Sequence, residues 1–158
     1  MAPAQKKLTI GPLDLEWLAQ TLKLDDLISE KPALEQILDS FPAIQLEGWP
    51  RDHEVIREGD RGDDIFVVYT GRLSAWRRGA PGPGVARRLG RLAPGDLFGE
   101  IGFLMKSARS ATVRTDGDCK IFRLPSEEFS RILRKHKALS RWVKGVACSR
   151  LTKLFGEE

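Results

Sequence analysis

Cysteine and histidine are scarce in this chain, which limits the metal and disulfide chemistry that it can support. The 158 residues include 2 Cys, at positions 119 and 148, and 2 His, at positions 53 and 136. Neither pair has the spacing of a disulfide framework or a metal knuckle. No metal site and no cofactor are therefore predicted. Cys119 is interpreted as a strand residue and Cys148 as a small buried residue, neither with special reactivity.

Long hydrophobic runs are also missing. No stretch approaches the roughly 20 apolar residues of a membrane span, and the opening residues MAPAQKK are not followed by the apolar segment of a secretory signal. No nucleophile–base pair or pair of carboxylates can be assembled from the sequence. These absences predict a non-enzymatic, soluble, cytoplasmic protein without membrane contact.

The chain does have enough apolar and charged residues for one folded domain. Apolar residues make up 41% and charged residues 30%, with 4 Trp and 7 Phe, so a packed core is expected and wholesale disorder is not. Residues 1–60 carry 6 Lys or Arg and 12 Asp or Glu, whereas residues 61–158 carry 20 and 10. The basic part suits an anionic ligand or partner, and a solvated basic surface is an equally weighted alternative.

Apolar periodicity divides the chain into helices, a β-rich middle and helices again. Leucines at helical spacing precede a region, from about 44 to 124, of short β-rich runs between Gly and Pro turns. The period becomes helical again after Pro125. The predicted helices cover 13–24, 32–40, 126–136 and 138–155.

Short strands at this spacing favour a sandwich or roll over a parallel sheet. The sequence therefore predicts an α+β fold, an antiparallel β-roll (jelly roll) flanked by N-terminal and C-terminal helices. We divide it into an N-terminal helical extension, 1–40, and a unit of β-roll and C-terminal helices, 41–158. The Gly- and Pro-rich stretch at 79–84 is predicted to be an exposed hairpin tip. The predicted strand segments are 55–56, 65–69, 73–76, 85–92, 111–113 and 120–122.

The most informative segment is DLFGEIGFLMKSARSATV, residues 96–113. A glycine at 99 allows close backbone approach to a ligand, and residues 99–105 can form a short helix whose unpaired N–H groups suit a phosphate. Arg109, at the start of the next strand, could pair with phosphate oxygens. Glu100 could accept two sugar hydroxyls, or one hydroxyl and a backbone N–H. By itself this pattern is a weak indicator of an anion site.

Two spaced motifs resemble the cyclic nucleotide-binding domain family. FGEIG at 98–102 followed by RSA at 109–111 is similar to the family's phosphate-binding cassette, and VIxxGDxGxxIFVVxxG at 55–71 is similar to its paired-strand and turn pattern. The resemblance covers roughly residues 40–155 and looks closest to the sensor domain of the bacterial catabolite activator protein group. Phe103 departs from the family's usual aliphatic residue, which we expect to change the packing under the cassette.

The resemblance implies a cyclic mononucleotide bound inside the β-roll. Arg109 would hold the exocyclic phosphate oxygens, aided by backbone N–H groups around Gly102 and Ser110, and Glu100 would accept the ribose 2′-hydroxyl. Ser110 could donate to the phosphate or contact a guanine base. The alternatives are a surface ion pair for Arg109 and a helix-start carboxylate for Glu100. The implied ligand-binding residues are Gly99, Glu100, Ile101, Gly102, Arg109, Ser110 and Ala111.

As a function, the resemblance implies a stand-alone cyclic nucleotide sensor, with cyclic AMP favoured over cyclic GMP. Transcription regulators of the family continue into a helix-turn-helix domain of roughly 60 residues. If Met1 is the true start, the output must therefore reach a partner protein through the N-terminal or C-terminal helices. The last helix could cover the base, form a homodimer seam or pack on its own roll, and Trp142 could stack on the base or lie in the core.

The sequence is also compatible with two other functions. A nucleotide-independent protein-interaction module on the same fold is the alternative, because the helix at 13–24 lies outside the family core. Direct nucleic-acid binding ranks low, because the chain has no recognition helix with a matching partner fold.

Overall fold

The computed structural model describes residues 5–24, 42–78 and 86–155. The helix predicted over 32–40 and the hairpin tip predicted over 79–84 lie outside the described residues. Within the described ranges, no helix is long and apolar enough to cross a bilayer. The same ranges contain no group of three or more His, Cys, Asp or Glu side chains arranged to hold a metal ion.

Nine strands and four helices are found in the described residues. The strands are β1 (Lys6–Leu8), β2 (Gln45–Trp49), β3 (Glu54–Ile56), β4 (Ile65–Thr70), β5 (Leu73–Arg78), β6 (Ala86–Leu92), β7 (Leu97–Phe98), β8 (Thr112–Thr115) and β9 (Cys119–Leu124). The helices are α1 (Pro12–Thr21), α2 (Glu100–Met105), α3 (Ser126–Lys135) and α4 (Lys137–Phe155).

The strands form two antiparallel sheets, of order β1-β2-β9-β4-β7 and β3-β8-β5-β6. The sheets bury one apolar cluster between them, in which the Phe66 and Phe98 rings stack with centroids 4.8 Å apart. A second cluster lies between the first sheet and the helices. The predicted α+β roll with flanking helices is confirmed. Strands β1, β2 and β7 were not predicted, because β1 and β7 are very short and β2 buries a charged residue, Glu47.

Helix α1 is packed on the roll. Its buried leucines join the second cluster, and the Trp17 ring lies 4.7 Å from the Tyr69 ring. The predicted helix over 13–24 ends earlier, at Thr21, because Leu24 N–H bonds to Ala19 O while Lys23, at φ +60°, bonds to Gln20 O. This pair of bonds is a Schellman motif, which closes a helix while the following leucines continue to point into the core.

The two halves of helix α4 make different contacts. Leu139 and Val143, in its first half, are fully buried in the second cluster, and Trp142 packs against the same cluster. Gly145 follows in mid-helix, with open space where a Cβ would lie. The prediction that Cys148 is buried is wrong: the residue is exposed, because it lies on the opposite side of α4 from the core-facing stripe.

Candidate functional site

The turn before α2 needs a glycine. Gly99 precedes the helix at φ +87°, a left-handed conformation that residues with a Cβ rarely adopt. A Cβ there would lie 2.8 Å from Asp64 O and 3.0 Å from Arg109 Nη1. The short helix predicted over 99–105 is therefore present as α2, and its first residue, Glu100, is brought beside the arginine.

Arg109 is buried at the centre of the site, only 6% exposed. It lies in the loop three residues ahead of the first residue of β8, Thr112, and not at the strand start as predicted. Its backbone N–H donates to Asp60 O at 2.8 Å, and its Nη1 and Nη2 donate to Gly99 O at 3.2 Å and Asp64 O at 3.1 Å. Burial lowers the pKa of the guanidinium, while the charge of Asp64 opposes that shift. The side chain is thus not a surface ion pair.

Several N–H groups of Arg109 make no hydrogen bond to the described residues. A guanidinium has five N–H groups, and two of them reach main-chain carbonyls. No acceptor for the other three is found in the part of the chain that the structure describes. A buried cation with unused, forked donors suits an anion with several oxygens.

Glu100 is the second buried charge of the site, at 1% exposure. Its Oε2 accepts a hydrogen bond from Arg150 Nη1 of α4 at 2.8 Å. Its Oε1 is buried and has no partner among the described residues. An unpartnered buried carboxylate oxygen costs free energy, and a ligand hydroxyl would satisfy it.

A cavity of about 110 Å³ lies between the roll and the second half of α4. All seven residues that the sequence predicted as ligand-binding line it, together with Arg91 of β6. The α4 residues at its mouth, hereafter the lid, are Arg150, Lys153 and Leu154.

The lid was missed by sequence reasoning, although a signal for it exists. Val143, Ala147, Arg150 and Leu154 follow one another at spacings of four, three and four residues, so they share one helix face. A charged residue within such a stripe marks a position that faces the protein interior. Trp142, in contrast, does not line the cavity, and its ring is covered by Lys23 Nζ at 5.5 Å.

Phe103 of α2 packs against α3. Its ring meets Phe129 of α3 edge-on, with centroids 5.3 Å apart. The departure from an aliphatic residue therefore ties α2 to α3.

Comparison with known proteins decides the family. The profile described as "Cyclic nucleotide-binding domain" matches residues 47–136, more than half of the chain. This chain belongs to the cyclic nucleotide-binding domain family. The "cAMP-dependent protein kinase regulatory subunit" of Neurospora crassa is 30% identical over 145 residues, covering 82% of this chain and 36% of that protein. The chain thus spans about a third of that relative's length.

Solved structures share the fold of this cyclic nucleotide-binding domain. The "Thermus thermophilus Catabolite Activator Protein" matches with a TM-score of 0.64 and 24% identity, over 75% of this chain and 55% of that one. The "regulatory domain of Toxoplasma gondii PKA with cAMP" matches with a TM-score of 0.68 and 20% identity, over 87% and 50%. At these identities the likeness shows the fold alone.

Proposed function

We propose that this domain is a cyclic nucleotide receptor, with cyclic AMP as its ligand, that signals to a partner protein. One observation carries the proposal: a single cavity holds a buried cation with unused donors, Arg109, and a buried carboxylate with an unpartnered oxygen, Glu100. A cyclic nucleotide offers the matching groups, an anionic phosphate and a ribose hydroxyl.

Arg109 would bind the exocyclic phosphate oxygens. Its carbonyl contacts fix the guanidinium plane before ligand arrives, so little side-chain entropy remains to be lost on binding. The N–H groups of the first turn of α2 and of Ser110 would complete the phosphate contacts. Burial strengthens this pairing, because a charge interaction is screened less in the interior than in water.

Glu100 would accept the ribose 2′-hydroxyl on Oε1 while Arg150 keeps Oε2. Ligand would then join the Glu100–Arg150 pair without displacing it, and α4 would become part of the binding site. A ligand that binds only with the lid in place shifts the protein toward that state by its differential affinity. The changed helical surface, together with the extension we assign to residues 1–40, would be read by the partner.

Cyclic AMP is proposed over cyclic GMP on two grounds. The Arg-Ser-Ala sequence at 109–111 resembles that of a cyclic AMP receptor, and the relatives above include cyclic AMP-dependent and cyclic AMP-bound proteins by their names. Ser110, at the cavity wall, is compatible with either base.

A thermal-shift titration with cyclic AMP, cyclic GMP and linear AMP tests the proposal. Ligand at about 100 times its dissociation constant stabilises by about 2.7 kcal/mol, which corresponds to a rise of roughly 5–10 °C. The rise should vanish in Arg109→Ala and persist in Arg114→Ala, an exposed arginine on β8. No rise with either cyclic nucleotide, or an unchanged rise in Arg109→Ala, would refute the proposal.

A further inference from the structure

A charged cluster that the sequence did not reveal lies behind the phosphate-binding arginine. Arg123 of β9 donates from Nε to Glu47 Oε2 at 2.8 Å and from Nη2 to Glu47 Oε1 at 3.3 Å. Its third donor, Nη1, reaches Asp64 Oδ2 at 3.1 Å. Glu47 is fully buried. Its two carboxylate oxygens accept from Nε and Nη2 of Arg123, which leaves Nη1 to donate to Asp64.

Asp64 connects this cluster to Arg109. Its side chain is bound by Arg123, and its main-chain carbonyl accepts Arg109 Nη2 at 3.1 Å. The two guanidinium groups also lie over one ring, that of Phe66, at 4.8 Å for Arg123 and 5.7 Å for Arg109. The position of one residue, Asp64, is thus specified by Arg123 and in turn specifies Arg109.

We propose that Arg123 is a positioning residue for nucleotide binding, which holds Asp64 so that its carbonyl fixes the Arg109 guanidinium. The inference rests on the proposed function, in which Arg109 binds the phosphate. Glu47 anchors the chain of contacts, and Gln5 Nε2 and Trp49 Nε1 also donate to it. The contacts therefore run from the N-terminal segment, ahead of the family-matched residues, to the phosphate site.

Charge and positioning predict opposite results when the Asp64 carboxylate is removed. Asp63 and Asp64 both act on Arg109 by charge, and a negative charge there opposes the binding of an anion. If charge alone mattered, losing either carboxylate would tighten nucleotide binding. If Asp64 positions Arg109, losing its carboxylate weakens binding although a negative charge has gone.

The experiment compares Asp64→Ala with Asp63→Ala by isothermal titration calorimetry with cyclic AMP. Asp63 is exposed and makes no hydrogen bond to Arg123 in the described structure, so it is the matched charge control. We expect the dissociation constant to rise about tenfold in Asp64→Ala, a coupling usual for residues in one network. In Asp63→Ala it should stay unchanged or fall. Equal changes in the two variants, or tighter binding in Asp64→Ala, would overturn the proposal.

The comparison of Asp64→Ala with Asp63→Ala does not require a variant that breaks the buried Arg123–Glu47 pair. Arg123→Gln alone would leave the buried Glu47 unpaired and destabilise the protein, whereas Asp64→Ala leaves the Arg123–Glu47 pair intact. The double variant Glu47→Gln/Arg123→Gln removes both charges together and should weaken binding as Asp64→Ala does. A well-folded double variant with wild-type affinity would also count against positioning.

A double-mutant cycle on the ligand-free protein distinguishes a failure of this proposal from a failure of the proposed function. Asp64→Ala and Arg109→Lys are combined, and the urea midpoints of the ligand-free proteins are compared. Positioning predicts that Asp64→Ala lowers the midpoint less when Arg109 is already replaced, because the contact that it supports is gone. Additive midpoints would refute positioning, whereas a wild-type protein that binds no cyclic nucleotide would refute only the proposed function.

Discussion

The contact between α4 and the cassette leads to a prediction about the protein without ligand. Arg150→Gln removes the charge that pairs with Glu100 and shortens the side chain, so Glu100 Oε2 loses its donor at 2.8 Å. Because the other oxygen, Oε1, already has no described partner, the variant leaves a buried carboxylate with neither oxygen bonded. The protein should therefore be less stable before any nucleotide is added.

The size of the loss follows from the burial of the pair. A hydrogen bond to a charged group contributes about 1.5–3 kcal/mol. The Glu100 side chain is 2% exposed but that of Arg150 is 29% exposed, so water competes at one end and we take the lower value, about 1.5 kcal/mol. For a chain of this length that corresponds to a fall in Tm of about 3–6 °C.

Differential scanning calorimetry of the ligand-free variants measures this loss. Arg141→Gln is the matched control, since Arg141 is an exposed arginine on the same helix and such a change stays within about 0.5 kcal/mol. Glu100→Gln combined with Arg150→Gln should be no less stable than the Arg150→Gln variant, because the unpaired charge is gone. If the Arg150 and Arg141 variants lose the same Tm, the pair contributes nothing and the reasoning fails.

Three further outcomes are expected. Gly99→Ala should abolish nucleotide binding in calorimetry, because residue 99 has φ +87° and the added Cβ would lie 2.8 Å from a backbone oxygen. Retained affinity would contradict the cassette geometry. In the native protein a thiol reagent should label Cys148 at once and Cys119 only after unfolding, because Cys119 is buried and burial raises its thiol pKa; mass spectrometry locates the label. The Tyr69 hydroxyl, at 2.6 Å, lowers the pKa of Asp14 below 3.8, so its stabilising effect is present at neutral pH and lost as pH falls below about 4. Tyr69→Phe should therefore flatten the acid side of the Tm–pH curve, and an unchanged curve would count against that bond.

The parts of the site that are local in sequence could be predicted. Residues 98–111 contain a left-handed glycine, a short helix and the arginine within one stretch, so a resemblance to the family's motif could identify them together, although their types alone indicate an anion site only weakly. Arg150 reaches Glu100 from 50 positions away, and Arg123 reaches Glu47 from 76. Nothing near either arginine in sequence specifies its partner, because sheet pairing and helix docking bring them together.

The errors have equally specific causes. The leucine pattern at 13–24 runs past the end of α1, because burial continues through the turn that closes the helix. Cys148 was assigned to the interior by its residue type, whereas the phase of α4 decides its exposure. Strand β2 was missed because its five residues, QLEGW, include few large apolar side chains, and nothing in the alternation marks Glu47 as buried.

The glycine in the middle of α4 separates the half of the helix that packs on the core from the half that borders the cavity. Leu139 and Val143 anchor the first half of the helix, Arg150 and Leu154 close the cavity with the second, and Gly145 lies between them. Glycine makes a helix interior about 1 kcal/mol less stable than alanine would. The last turns would therefore open more readily than the anchored half, once the Arg150–Glu100 contact is broken. Release of a bound nucleotide would then require opening of the last turns of α4, and not the motion of a whole domain.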